Sequence, residues 1–156
     1  MIFPLLYVFA GHLFKDLTRK QWIFMGALGL YQLISVLSYY PNYLGYFNEI
    51  VWDRKTAYQY LADSNLDWGQ DYYALKDYRA EHRNLDKAPE VPALINKTKT
   101  YFVPVNQLVG VSYDPVTYKW LRDNFEPVGT IGSSYLLFEI TAEEMKNLCE
   151  KTAYCK

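Results

Sequence analysis

The chain has 156 residues, with 16 basic and 17 acidic side chains and a formal net charge of -1. This length suffices for one domain with a buried core and excludes several, and the balanced charge argues against a protein that holds nucleic acid through its phosphates. Only four charged residues fall in residues 1–40, whereas the remaining 29 fall in residues 41–156. The sequence therefore joins an apolar segment to a segment of ordinary soluble composition.

The first apolar run covers residues 1–14 and is too short to cross a bilayer comfortably, since crossing takes about 17 to 25 residues. It has no basic start, and no small-residue cleavage site follows it, which disfavours a secretory signal. We interpret it as a truncated spanning helix or as a short helix that lies against the next one.

The second apolar run covers residues 22–40 and contains no charged residue. A helix of this length is about 28 Å long, close to the thickness of the bilayer core at about 30 Å. Trp22, Tyr39 and Tyr40 stand where aromatic residues anchor a spanning helix, and Pro41 marks its end. The run predicts a transmembrane helix, with a buried helix of a soluble protein as the alternative.

The loop between the two runs, KDLTRK, has a net charge of +2. Short loops rich in Lys and Arg stay on the cytoplasmic side of a membrane. The second helix would then run outward from the cell membrane, and residues 41–156 would lie on the extracytoplasmic, periplasmic side. Cys149 and Cys155 fit that oxidising compartment if they form a disulfide, and two free thiols are the open alternative.

Residues 41–66 predict an interfacial connector, whose aromatic side chains keep it close to the lipid bilayer. The next segment predicts a helix over residues 68–82, because its apolar side chains recur at helical spacing. Asp67 followed by Gln70 is typical of an N-terminal cap.

The rest of the chain alternates predicted strands and helices. A loop over residues 84–100 contains a short predicted strand near 91–95, and a strand follows over 100–105. Asp114 and Pro115 open a predicted helix that runs to about residue 125. Two hairpin strands near 127–131 and 134–140 come next, and a last helix begins at the cap formed by Thr141 and Glu144. Together they predict an α/β fold over residues 67–156, a small mixed sheet with flanking helices.

The densest polar cluster lies in residues 63–71 and places four side chains at the spacing of calcium ligands: Asp63, Asn65, Asp67 and Asp71. The pattern departs from an EF-hand loop, because Gly69 comes one position late and Ala74 replaces the final bidentate carboxylate. Calcium is therefore an alternative, and no metal or cofactor is the main expectation. The main expectation is that these side chains cap the following helix and tie the connector to the sheet, and contact with a substrate or a lipid head group is the other functional interpretation.

Three strings are more specific than these patterns: YYPNYLGYFNE (residues 39–49), YQYLADSNLDWGQD (58–71) and YKWLRDNFEPVGTIGSSYLLFEI (118–140). In this order they resemble the C-terminal end of bacterial membrane glycosyltransferases of the dolichyl-phosphate-mannose protein mannosyltransferase-like group. These are multi-spanning enzymes of the GT-C fold, in which the last spanning helices lead into a small extracytoplasmic α/β domain. Compared with that family, the chain is shorter between Asn84 and Tyr101, which predicts a reduced sheet.

The resemblance implies transfer of a sugar from a polyprenyl-phosphate carrier to an acceptor. The catalytic acidic residue of the family lies in the first extracytoplasmic loop of a much longer chain, and no residue here matches it. The resemblance thus predicts the C-terminal part of such an enzyme, not catalytic by itself, whose partners are the bilayer, the carrier-linked sugar, the acceptor and the remaining transmembrane part. A stand-alone membrane-anchored binding module is the alternative. The candidate residues for contact with a substrate or a head group are Asp63, Asn65, Asp67, Gln70, Tyr46 and Asn48.

Overall fold

The computed structural model describes residues 3–47, 51, 53–62 and 66–155. The chain divides into two compact units, Met1–Tyr40 and Pro41–Lys156. We call them the N-terminal unit and the C-terminal domain and describe each by itself.

The N-terminal unit consists of two helices, α1 (Phe3–Leu13) and α2 (Arg19–Leu37). A capping box starts α2: the Thr18 side chain accepts from the backbone N–H of Gln21, and the Gln21 side chain accepts from the backbone N–H of Thr18. Because this cap satisfies the first orphan donors, α2 begins earlier than the predicted segment 22–40. It also ends earlier, since its C-cap is Ser38.

Within the described part of the chain, no helix is both long and apolar enough to cross a membrane. The transmembrane helix predicted over residues 22–40 is therefore not confirmed. The large apolar side chains of both helices are nevertheless mostly exposed, and they include Phe3, Leu6, Val8, Phe9, Trp22, Ile23, Phe24, Leu30, Leu33, Ile34 and Leu37.

The C-terminal domain combines five α-helices and four strands among its described residues. The helices are α3 (Ala57–Tyr60), α4 (Tyr72–Glu81), α5 (Val105–Val109), α6 (Lys119–Asn124) and α7 (Ala142–Lys151). The strands are β1 (Leu85–Lys87), β2 (Lys99–Pro104), β3 (Gly129–Ile131) and β4 (Tyr135–Ile140). Short 3-10 helices cover Tyr43–Gly45, Arg54–Thr56, Pro92–Leu94 and Ala153–Cys155.

The four strands form one mixed sheet in the order β1-β2-β4-β3. β1 runs parallel to β2, and β4 is antiparallel to both β2 and β3. The register pairs Pro104 with Tyr135 at one end of the central strands and Lys99 with Ile140 at the other end. The predicted mixed α/β fold with a small sheet is confirmed.

Alternate residues of the central strands enter two different cores, as the period of a strand requires. Val103 and Phe138 belong to the larger core, which α5, α6 and α7 help to build through residues such as Leu108, Trp120 and Met145. Phe102 and Leu137 point to the other face, where Leu75 of α4 covers them. Two helical layers therefore bury both faces of the sheet.

The predicted connector, residues 41–66, contributes to this domain. Tyr58 and Leu66 are buried members of the larger core, and Phe47 packs against it. Val51 is also buried. Because their aromatic and aliphatic side chains pack into the core, these residues fix the connector to the sheet.

The predicted hairpin and the last helix are confirmed. β3 and β4 are joined by a short turn, and Thr141 and Glu144 form the capping box of α7. Cys149 and Cys155 form a disulfide, so the predicted disulfide is confirmed and the alternative of two free thiols is wrong.

Three predicted elements differ from the structure. The helix predicted from residue 68 begins only at Tyr72, because Gly69 has a left-handed φ of 78° that a helix does not contain. The strand predicted near 91–95 is a 3-10 turn that starts at Pro92, and the parallel strand of this region is β1 instead. Asp114 caps a turn, and the helix itself begins at Lys119.

Candidate functional site

The polar segment 66–71 packs against the turn between β3 and β4, residues 132–134. The contacts join groups more than 60 positions apart in the chain. We call this set of contacts the clamp. It lies at the end of the sheet where β2 ends and β4 begins, since the backbone N–H of Val105 donates to the carbonyl of Ser134 at 2.8 Å.

Asp71 is the centre of the clamp and, of the described Asp, Glu, Lys and Arg residues, the one that is buried, with 2% exposure. Its Oδ2 atom accepts from the backbone N–H of Ser133 at 2.8 Å, from that of Ser134 at 3.0 Å and from the Ser134 hydroxyl at 2.8 Å. A buried carboxylate is tolerated when several donors satisfy it in this way. Because three donors of the turn converge on this oxygen, Asp71 is suited to hold the turn in place.

Gln70 completes the clamp on the other side of the same turn. Its Nε2 atom donates to the Ser133 hydroxyl and to the carbonyl of Leu66, each at 3.0 Å. The Ser133 hydroxyl in turn donates to the Leu66 carbonyl at 3.0 Å. The Ser133 hydroxyl is thus an acceptor and a donor at once, a role that suits a hydroxyl, whereas the Ser134 hydroxyl only donates.

Asp67 organises the loop before the helix. Its Oδ1 atom accepts from the backbone N–H of Gly69 at 2.9 Å, which is an Asx turn. Its backbone carbonyl accepts from the side chain of Asn106, at the start of α5, at 3.3 Å. The prediction that Asp67 and Gln70 cap a helix is therefore corrected: they cap the turn that precedes α4, and Asp71 at the N-cap position directs its side chain to the serines.

Two glycines allow the clamp to close. A Cβ atom on Gly132, which has a φ of 59°, would lie 2.0 Å from the Asp71 carboxylate carbon. A Cβ atom on Gly45 would lie 2.3 Å from Cβ of Ser133. Both positions therefore require glycine, and the second brings the 3-10 helix Tyr43–Gly45 against the same turn.

The structure places three of the six predicted site residues in its described part. Gln70 belongs to the clamp, Asp67 orders the loop that carries Gln70, and Tyr46 is half-buried just after the Tyr43–Gly45 turn, its backbone N–H donating to the Tyr43 carbonyl at 3.1 Å. Asp63, Asn65 and Asn48 lie outside the described residues. The contact of Asp71 with the turn confirms the predicted tie to the sheet, and the clamp brings Gln70 against a serine that the sequence analysis did not select.

Calcium ligation is not supported by the members of the cluster that the structure describes. In this part of the chain, no group of three or more His, Cys, Asp or Glu side chains could hold a metal ion. Asp67 and Asp71 serve different partners, since one accepts from a backbone N–H of its own loop and the other from the serines.

Exposed aromatic side chains surround the clamp. Trp68, Tyr72 and Tyr73 are exposed on the loop and on the first turn of α4, and the rings of Tyr72 and Tyr73 meet edge to face at 5.5 Å. Tyr135 lies half-buried nearby. Burial raises the pKa of its hydroxyl, and the negative charges of Asp67 and Asp71 raise it further.

The other end of the central strands has a different character. A polar cavity of about 500 Å³ is lined there by Asp86, Lys87, Leu94, Lys97 and Lys99, among others. Asp86 and Lys99 form an ion pair, and this hydrogen bond raises the pKa of Lys99. The domain therefore exposes aromatic side chains at the clamp end, whereas charged side chains line the opposite end.

The serines of the turn and the two glycines are the clamp residues that sequence reasoning missed, as is Asn106, which holds the loop beside them. The string GTIGSS indicated a hairpin turn, but no local pattern pairs position 71 with positions 133 and 134. Only an unusual feature of the turn, two hydroxyls beside a glycine, offered a signal that it binds a carboxylate.

No model of a known protein family matches this chain, and no curated protein or solved structure matches it either.

Proposed function

We propose that this chain is the C-terminal part of a membrane glycosyltransferase that takes its sugar from a polyprenyl-phosphate carrier. In this proposal the N-terminal unit lies among lipids and further helices of the enzyme. The C-terminal domain lies on the extracytoplasmic side and supports binding of the carrier-linked sugar or the acceptor, without carrying out the transfer.

The observation that carries the proposal is the exposure of apolar side chains in the N-terminal unit. Ile23, Phe24 and Ile34 of α2 are more than 60% exposed. Contiguous apolar surface of this kind marks contact with lipid or with other protein. The +2 loop between α1 and α2 favours the cytoplasmic side for that loop.

The enzyme class itself rests on the resemblance of the three strings in residues 39–140. The clamp gives two of these strings a shared physical role, because DSNLDWGQD supplies Gln70 and Asp71 and GTIGSS supplies the serines that they bind. A rigid clamp suits a domain that presents neighbouring side chains to a substrate.

A pair of charge substitutions tests membrane embedding. Leu30→Asp and Leu94→Asp alter side chains of similar exposure, 59% and 68%, in the two different units. An aspartate at the centre of a spanning helix costs about 2.5 to 3.5 kcal/mol. We expect Leu30→Asp to release the full chain from membranes on carbonate extraction, and Leu94→Asp to leave it bound; equal extraction of both variants would contradict the proposal.

The side of the membrane is tested by alkaline phosphatase fused after residue 156, since this reporter is active only outside the cytoplasm. We expect an active fusion. Reversing the loop charge, by Lys15→Glu, Arg19→Glu and Lys20→Glu together, should lower its activity.

The enzymatic assignment is tested in the coding sequence upstream of residue 1 and by an assay. We expect an open reading frame there with further hydrophobic spans. The longer chain should transfer sugar from at least one member of a panel of polyprenyl-phosphate sugars, whereas residues 1–156 alone should transfer none. A stop codon and promoter directly upstream would contradict the enzymatic assignment.

The second candidate function, a stand-alone membrane-anchored binding module, is favoured by one observation: the C-terminal domain has its own two-sided core and its own disulfide. Sugar transfer by the longer chain distinguishes the two candidates.

A further inference from the structure

The clamp end of the C-terminal domain exposes four large side chains with apolar bodies. Trp68 and Tyr73 are 70% and 72% exposed, and Leu44 and Tyr72 are each 58% exposed. We call these four residues the aromatic surface. Large aromatic side chains contribute so much apolar area that a group of them in water indicates a contact surface.

The clamp fixes the parts of the chain that carry this surface. Trp68 and Tyr72 flank Gln70 and Asp71, which bind the serine turn. Leu44 precedes Gly45, whose backbone approaches Ser133 so closely that no side chain fits between them. Two separate segments therefore hold the aromatic surface against one turn, and little conformational freedom is lost when it binds.

The opposite end of the domain provides a contrast. Leu94 is 68% exposed there, but it lines a cavity with Asp86 and three lysines. The six-residue strand β2 separates the two ends by roughly 20 Å, because a strand rises about 3.3 Å per residue.

We propose that the aromatic surface docks on the head-group region of a lipid bilayer. Trp and Tyr combine an apolar ring with a polar N–H or O–H, and this is why they are enriched at the level of lipid head groups. Leu44 also follows Tyr40, the last residue of the N-terminal unit, by only four positions. The unit with exposed apolar side chains thus leads directly into this surface.

The docking assigns a distinct role to each end of the domain. The clamp end contacts lipid, and the opposite end, with the charged side chains of Asp86, Lys97 and Lys99, stays in water. The inference rests on the proposed membrane embedding of the N-terminal unit and deepens it by naming the lipid as the partner of the clamp end.

The test uses the full chain in phospholipid vesicles with a fluorescent probe at one position. Trp68→Cys, Leu94→Cys and Ile23→Cys each introduce a thiol at an exposed site, and the only natural cysteines are bonded to each other, so an environment-sensitive thiol dye reacts at the new site. Quenchers are a nitroxide on the lipid head group, a nitroxide near the end of the acyl chain, and iodide in water. Circular dichroism of each labelled variant verifies that the domain is folded.

We expect the probe at position 68 to be quenched several-fold more by the head-group nitroxide than the probe at position 94. The probe at 94 should respond mainly to iodide. The probe at position 23 should respond to the acyl-chain nitroxide, which reports membrane embedding separately.

Every other pattern of quenching contradicts a defined part of the two proposals. If the probe at 23 is quenched by lipid but the probes at 68 and 94 behave alike, embedding holds and docking is wrong. If position 68 is protected from both lipid nitroxides and iodide, a protein surface covers it and the lipid assignment is wrong. If position 23 responds only to iodide, the proposed function fails on its own, whatever position 68 shows.

Discussion

The N-terminal unit and the C-terminal domain differ in the exposure of their large apolar side chains. Phe24 in the first is 62% exposed, whereas Phe138 in the second is fully buried. Apart from side chains such as those of the aromatic surface, the domain buries its apolar area in two cores, where the hydrophobic effect stabilises the fold. The N-terminal unit leaves its large apolar side chains exposed, as the proposed contact with lipid and further helices requires.

The largest expected effect comes from a matched pair of Phe→Ala variants. Phe138→Ala creates a cavity in the larger core and should lower the free energy of unfolding by about 3 to 5 kcal/mol. Phe24→Ala removes the same atoms from an exposed site and should leave unfolding of the domain unchanged. Urea denaturation of the full chain in mild detergent, followed by near-ultraviolet circular dichroism, measures both; similar losses would show that the contrast between the units is wrong.

A smaller effect tests the one buried carboxylate of the clamp. Asp71→Ala leaves the N–H groups of Ser133 and Ser134 without their acceptor, and we expect a loss of about 1.5 to 3 kcal/mol. Asp71→Asn keeps an oxygen at the site and should recover part of the loss. Asp77→Ala, at an exposed position of the same helix, is the control and should have little effect.

The disulfide adds a covalent constraint that only the C-terminal domain has. Cys149 and Cys155 are six positions apart, and closing a loop this small stabilises a fold by about 2 kcal/mol in the chain-entropy model. Cys149→Ser combined with Cys155→Ser should cost that amount in urea denaturation. A reducing agent should cause the same loss in the natural chain and none in the double variant.

The smallest effect depends on pH. Hydrogen bonds from the Thr141 hydroxyl and backbone N–H lower the pKa of Glu144 below its usual value of 4.5. A carboxyl whose pKa is lower in the folded state contributes stability above its unfolded pKa and loses it as the pH falls through the folded pKa. Because the group is exposed, the contribution is below about 0.5 kcal/mol.

We therefore expect Glu144→Gln to be slightly less stable than the natural chain at neutral pH and equally stable in acid below the folded pKa. Glu143→Gln removes a charge from the same helical turn without removing a capping contact. A pH series of thermal denaturation on the three chains measures this difference, and a constant difference at every pH would contradict the role of the carboxylate.

Local chemistry determined the elements that the sequence predicted well. Thr141 with Glu144 marked the start of α7, and Gly132 with Ser133 between two apolar runs marked the hairpin of β3 and β4, since each signal lies within a few positions of the chain. β1 and α5 escaped prediction because Leu85–Lys87 and Val105–Val109 are too short to show a period. The predicted helix start at residue 68 is too early, because the side chains around Gly69 have helical spacing while the backbone of Gly69 itself is not helical.

The candidate site likewise has one part that local sequence patterns predict and one part that they do not. The sequence singled out Asp67 and Gln70 as polar side chains before a helix, and both do organise that loop. It could not show that Gln70 and Asp71 bind the serine turn, since that contact spans more than 60 positions. Calcium spacing in the same string was likewise a local pattern, and the fold directs Asp71 elsewhere.

By itself, the sequence determined the division of the chain into an apolar segment and an α/β domain, because hydropathy and charge are properties of the residues themselves. The tertiary structure alone decided which of the many aromatic side chains are core and which are surface. Tyr118 is buried, with its hydroxyl on the carbonyl of Ala88, and burial raises its pKa to about 12, while Tyr73 stands in solvent. A tyrosine suits either place, so the choice depends on what the folded chain brings against it.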